Sequence, residues 1–304
     1  MIFNTTGRAV EGFWVLGSAQ VPSYLFTAER PALVDAGFAC LGPWYRRDAD
    51  QALAGRAPAY LLLTHAHFDH CGAAGWLKQA YPEMVIAASA RAAEIVQRPN
   101  ALALIDRLSR EAEATARVWG LDPPTGADFT PFRADILLED GQKVHLGQGR
   151  ELTVLYTPGH TWDFLSYHEP REGILVASEA VGCTDGLGQV ITEFLVDFDV
   201  YIESQARLAA LKPRVLAQGH RNVFIGQDAL DYLERSRRAA WDFKALVERL
   251  LQENHGEVEK VVALVKASEY DPAPPPKQPE PAYLINLTTR VSRLAARLAA
   301  AAPK

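Results

Sequence analysis

The chain has 304 residues, 48% of them hydrophobic, so it can bury a large core as one large domain or one domain with an appendage. Lys and Arg number 31 against 37 Asp and Glu, a formal charge of -6, which argues against a nucleic-acid surface. Three cysteines are too few for a disulfide framework and fit the reducing cytosol. The N-terminus lacks the basic start of a secretion signal, and no window of ~18 apolar residues is free of charge, so a cytoplasmic protein without a membrane span is expected.

In chain order, Phe13–Leu16, Ser23–Thr27 and Ala32–Asp35 read as short strands between Gly, Pro and charged residues. Tyr60–Thr64 is an apolar strand. Gly72–Tyr81 reads as a helix stopped by Pro82, Val85–Ala88 as a strand, and Ala90–Val96 and Ala101–Trp119 as helices. Pro123-Pro124-Thr125-Gly126 breaks the pattern. Strands are expected again at Phe132–Leu138, Gln142–Leu146, Leu152–Thr157, Phe164–His168 and Ile174–Ala177. Helices follow at Tyr201–Leu211 and Gln227–Leu251. Two mixed sheets packed together with helices outside, an α/β architecture, account for this order. Residues 1–227 form that unit and 228–304 a helical C-terminal extension. In the extension Asp271–Pro281 is a proline-rich connector. Tyr283–Ala302 is a helix whose stripe of Leu284, Leu287, Val291, Leu294 and Leu298 docks on the body, close to the active site.

Residues 64–70 read Thr-His-Ala-His-Phe-Asp-His at the end of the strand from Tyr60. Imidazole and carboxylate suit zinc, iron, manganese or cobalt. His65 and His67 are two apart and in extended backbone point the same way, Asp69 repeats the step, and His70 starts the turn into a helix. One pair can serve one metal and the other pair a second. His160, in Pro158-Gly159-His160, and His220, in Gln218-Gly219-His220, each follow a strand. Glu179 follows Leu175-Val176-Ala177, where burying a carboxylate without a cation is expensive.

The run Thr64-His65-Ala66-His67-Phe68-Asp69-His70-Cys71-Gly72, with the later Gly-His pairs in the same order, resembles the metallo-beta-lactamase fold superfamily over about residues 10–225. Within it the chain is similar to the thioesterase-like group, including glyoxalase II and the quinolone-signal response protein. The resemblance implies a four-layer αββα sandwich with two divalent metal ions at one sheet edge, zinc first and iron or manganese as alternatives. It implies that His65, His67 and His160 hold the first metal and Asp69, His70 and His220 the second, with catalytic roles for Asp69 and His220. The family usually has a bridging Asp in a Gly-Asp pair where this chain has Ser178-Glu179. Glu179 is expected to bridge, and a non-bridging Glu179 is the alternative.

The implied activity is hydrolysis of a small-molecule ester or thioester by a metal-activated hydroxide. The alternatives are a phosphodiesterase or ribonuclease-like hydrolase, and a regulatory metalloprotein with a vestigial centre. The expected partner is a small-molecule substrate, with no nucleic acid and no membrane. A homodimer is left open.

Overall fold

The computed structural model describes residues 1–124, 126–274 and 277–301. Thr125 in the expected break, Pro275 and Pro276 in the connector, and residues 302–304 lie outside the described residues.

Among the described residues the strands form two seven-stranded sheets and a short hairpin. The first sheet runs in chain order: Gly7–Val10, Phe13–Leu16, Ser23–Phe26, Ala32–Val34, Tyr60–Leu62, Val85–Ser89 and Ile136–Leu138. Its first four strands are an antiparallel meander, and from Ala32–Val34 onward neighbours pair in parallel. The second sheet runs Ile2–Phe3, Val223–Ile225, Val215–Ala217, Ile174–Val176, Leu165–Glu169, Arg150–Tyr156, Lys143–Gly147. It is antiparallel except where Ile174–Val176 meets Val215–Ala217.

The strand period of two decides which side chain enters which layer. Ala32, Val34, Tyr60 and Leu62 face the second sheet and pack with Val154, Tyr167, Val176 and Val215. The alternate residues Leu33, Leu61 and Ile86 face outward, against Tyr45 and Ala49 of the helix Gly42–Ala52, Leu77 of Ala74–Ala80, and Ile105 and Ala112 of Pro99–Val118. On the far side, Leu155, Leu175, Leu216 and Phe224 pack on Leu208 of the helix Phe198–Ala210 and on Ala229 and Tyr232 of Gln227–Glu253. Each large side chain so buried contributes about 1.5–3 kcal/mol. The result is the αββα sandwich expected from the sequence.

The expected strand Phe132–Leu138 forms only at Ile136–Leu138. Upstream, side chains take over the backbone groups a ladder would use: Gln97 Nε2 donates to the Phe132 carbonyl at 2.8 Å, and Asp135 Oδ2 accepts from Ile86 N at 2.9 Å. The helix Gly42–Ala52 was not expected; Pro43 at its start is compatible with the first turn. In the tail, Gln227–Glu253, Val258–Glu269 and Glu280–Ala301 share a core with Phe194, Phe198 and Tyr201 from the body. Among the described residues no helix is long and apolar enough to cross a membrane.

Candidate metal centre

Both sheets end at the same edge, and loops leaving their strands carry the candidate ligands. The strand Tyr60–Leu62 runs into Thr64, whose N–H and hydroxyl both donate to the buried carboxylate of Asp35. Asp35 itself closes the strand Ala32–Val34 with φ +61°, a left-handed conformation that an Asp tolerates at a turn. The Thr64 proton is thus committed to Asp35, and Thr64 Oγ1, 3.0 Å away, can only accept from His65 Nδ1. That leaves His65 Nε2 bare, fully buried and without a hydrogen-bond partner. Asp163 Oδ2 accepts from Ala66 N at 2.8 Å, so it secures the loop between His65 and His67.

The other imidazoles are tied in the same manner. His70 Nδ1 donates to Asp35 Oδ2 at 2.8 Å, His160 Nδ1 to the Glu193 carbonyl at 2.6 Å, and His220 Nδ1 to the Gln20 carbonyl at 2.7 Å. An outer hydrogen bond on one ring nitrogen fixes the tautomer and aims the other, as in metal sites. The aimed nitrogens converge. His160 Nε2 lies 3.3 Å from His67 Nδ1. His70 Nε2 and His220 Nε2 each lie 3.0 Å from Glu179 Oε1, with Asp69 Oδ2 3.8 and 3.5 Å away.

These atoms fall into compact groups. His65, His67 and His160 offer donor atoms within 4.8 Å of one another, as do Asp69, His70 and His220. A third group, His65, His70 and Glu179, links the two. All seven residues singled out in the sequence therefore meet at one place, with Glu179 between the triads.

The electrostatics indicate a missing positive charge. Burial holds the His65 imidazole well below its ordinary pKa, with the neighbouring rings adding to the effect, and brings His160 down to about 4. Burial also works against charge on His70, but Glu179, Asp69 and Asp35 outweigh it and raise its pKa. Glu179, penalised by burial, is still pulled below the usual carboxylate range by His70 and His220. The same acids that favour charge on His70 and His220 would favour a dication between them. Two orphaned buried atoms, His65 Nε2 and Glu179 Oε1, make the same point geometrically. An all-imidazole triad beside a carboxylate-imidazole triad fits two borderline divalent metals.

Glu179 enters a space that only glycine can leave open. A Cβ on Gly219 would sit 1.9 Å from Glu179 Oε1. The additional methylene of Glu over Asp is accommodated there.

The Metallo-beta-lactamase superfamily model matches residues 16–220, about two thirds of the chain. The chain belongs to the metallo-beta-lactamase superfamily. Among superfamily relatives, the acyl-coenzyme A thioesterase MBLAC2 of Gallus gallus is 30% identical over 211 residues, covering 65% of this chain and 70% of that protein. The Homo sapiens MBLAC2 is 26% identical over 218 residues, covering 69% and 67%. Among solved structures, an archaeal superfamily protein, ST1585 from Sulfolobus tokodaii, aligns with a TM-score of 0.58 at 18% identity, covering 94% of this chain and 98% of that one. It shares the fold and extends the likeness into the helical tail.

Sequence reasoning missed Asp35, Gln20 and Glu193, which orient the rings. Gln20 and Glu193 act through main-chain carbonyls, which leave no side-chain signal. Asp35, a buried acid ending an apolar strand, had the same signal that drew notice to Glu179.

Proposed function

We propose that the chain is a dinuclear metal-dependent hydrolase of small acyl thioesters. The observation that carries this reading is the convergence of two tethered imidazoles, His70 and His220, on Glu179 and Asp69, beside the triad of His65, His67 and His160. The thioesterase names of the MBLAC2 relatives support the substrate class. His65, His67 and His160 would hold the first metal and Asp69, His70 and His220 the second, with the Glu179 carboxylate placed between the two groups.

When bound, the metals, zinc first among the candidates, lower the pKa of water and polarise the scissile carbonyl. The residues of the chain do the rest. His65, His70, His160 and Glu179 are buried, while His67, Asp69 and His220 are partly exposed, so substrate approaches from the side of those three. Phe68, next to Asp69, and Trp119 are partly exposed and stack at 5.7 and 5.8 Å on the buried Phe38, giving an apolar flank for an acyl chain. The Trp119 indole donates to the Lys277 carbonyl at 3.4 Å, so the tail connector bounds that side of the cleft. A cleft bounded in this way suits a small molecule in the cytosol better than a polymer. Asp69 orients the attacking water and takes its proton. The C–O bond forms, the C–S bond breaks, and that proton passes to the leaving sulfur, giving a carboxylic acid and a thiol.

The test is metal analysis of the purified protein with a panel of acyl-thioester, carboxylic ester and phosphodiester substrates. About two zinc, iron or manganese ions per chain and turnover of thioesters are expected. Turnover of phosphodiesters alone would replace the substrate class, and failure to retain metal after supplementation would overturn the centre.

A further inference from the structure

Resting on the dinuclear reading, we infer that Cys183 is a direct donor to the second metal, making that site a mixed nitrogen, oxygen and sulfur site. Cys183 Sγ, a Glu179 carboxylate oxygen and a His220 ring nitrogen lie within 4.8 Å of one another. Cys183 is buried, and its neighbours Gly182 and Thr184 are both fastened to the loop that carries His220. Gln218 Nε2 donates to the Gly182 carbonyl at 3.3 Å, Thr184 Oγ1 donates to Gln218 Oε1 at 3.1 Å, and Asn222 Nδ2 donates to Thr184 Oγ1. Gln218 and Asn222 flank His220, so thiol and imidazole are held in register by bonds on both sides of each.

Independently, Glu179 Oε1 is buried without a hydrogen-bond partner and is directed at the same point. His70 Nδ1 and His220 Nδ1 donate outward, and the Nε2 atoms of both rings lie 3.0 Å from that oxygen. Oxygen, nitrogen and sulfur atoms of the kinds that bind borderline divalent metals thus face one another at one point. On binding, the S–H bond breaks, a metal–sulfur bond of about 2.3 Å forms, and the proton leaves to solvent. The other two cysteines are placed differently: Cys40 and Cys71 pack in the apolar core behind the first sheet. A thiolate also biases the second site toward zinc or cobalt over manganese, which prefers oxygen.

The experiment is cobalt titration of the metal-free full-length protein, read by absorption. Saturation at about two cobalt ions per chain checks the dinuclear reading itself. Independently of any turnover, a near-ultraviolet sulfur-to-cobalt charge-transfer band should appear in the wild type, as the second site fills. Cys183→Ser should abolish the band and weaken the second site by at least the ~10-fold typical of losing even an outer partner, leaving the first intact. Cys40→Ser should keep the band. Two cobalt ions without the band in the wild type would overturn the assignment with the dinuclear centre intact, and this needs no variant to fold. A band surviving Cys183→Ser would overturn it as well.

Discussion

The Nδ1–H of His160 donates to the main-chain carbonyl of Glu193 at 2.6 Å, and this bond connects the metal centre to the C-terminal tail. One residue earlier, the Thr192 carbonyl accepts from Arg290 Nη1 at 3.0 Å. Arg290 lies on the helix Glu280–Ala301, fully buried, with its guanidinium 4.6 Å from the Phe243 ring centre and 3.2 Å from Glu269. The tail therefore fixes the segment that aims His160 Nε2. Arg290→Met should leave Glu269, which is partly exposed, with the Tyr283 hydroxyl as its remaining donor and lower stability by up to about 3 kcal/mol, the low end for breaking a buried pair. It should also weaken the first metal by ~10-fold. Denaturant unfolding and competition with a chelator measure the two effects. A folded variant with unchanged metal affinity would show that the tail does not reach the centre.

Glu193 gives a pH prediction for the metal-free protein. Burial pushes its carboxyl up to about 7, against the pull of Arg290 and with help from Glu179. Between the ordinary value of 4.5 and about 7, the folded chain holds a proton that the unfolded chain has released. Stability from this group therefore falls as pH rises through that window, by at most about 1.4 kcal/mol per unit. Glu193→Gln removes the slope, so the variant should gain on the wild type from pH 4.5 to 7 and hold the gain above it. Urea unfolding at several pH values provides the comparison. A difference independent of pH would exclude the mechanism.

Asp35 orients His70 while accepting two bonds from Thr64. Asp35→Asn puts an amide where a carboxylate accepted, so His70 loses a partner that can fix its tautomer. The second metal should bind ~10- to 100-fold more weakly, with the first much less affected. Stepwise metal titration by calorimetry separates the sites. Equal weakening of both would mean that Asp35 acts through the loop rather than through His70.

Much of the centre was legible because its chemistry is local. His65, His67, Asp69 and His70 sit within six positions after an apolar strand, and His160, Glu179 and His220 each follow another. The sandwich was legible because its strands and helices alternate in composition as well as in order. The support was less so. Arg290 is a charged residue in an amphipathic helix, which ordinarily faces water. Its position, three after Leu287 and four before Leu294 on the buried face, was the available signal. Cys183 was a lone thiol in sequence, and only the fold brings it to Glu179 and His220.

The sharpest prediction joins Glu179 to Gly219. The carboxylate occupies the space where a Gly219 side chain would be, 1.9 Å from the position of its Cβ. Gly219→Ala should force the carboxylate away from the rings, since the Glu179 backbone is held in a buried turn beside Tyr201. Metal content should then fall from about two toward one, with hydrolytic turnover lost by orders of magnitude, because activating water depends on both charges. Glu179→Gln should do the same, as a neutral amide is a poorer ligand. Glu179→Asp withdraws the carboxylate from Gly219 while keeping its charge, so it should retain more metal and more activity than Glu179→Gln. Combining Glu179→Asp with Gly219→Ala should then recover part of what Gly219→Ala alone loses, since the shorter acid vacates the contested space. Metal analysis and thioester turnover on the four variants read this out. If the double variant is no better than Gly219→Ala, the glycine does not serve by making room for Glu179.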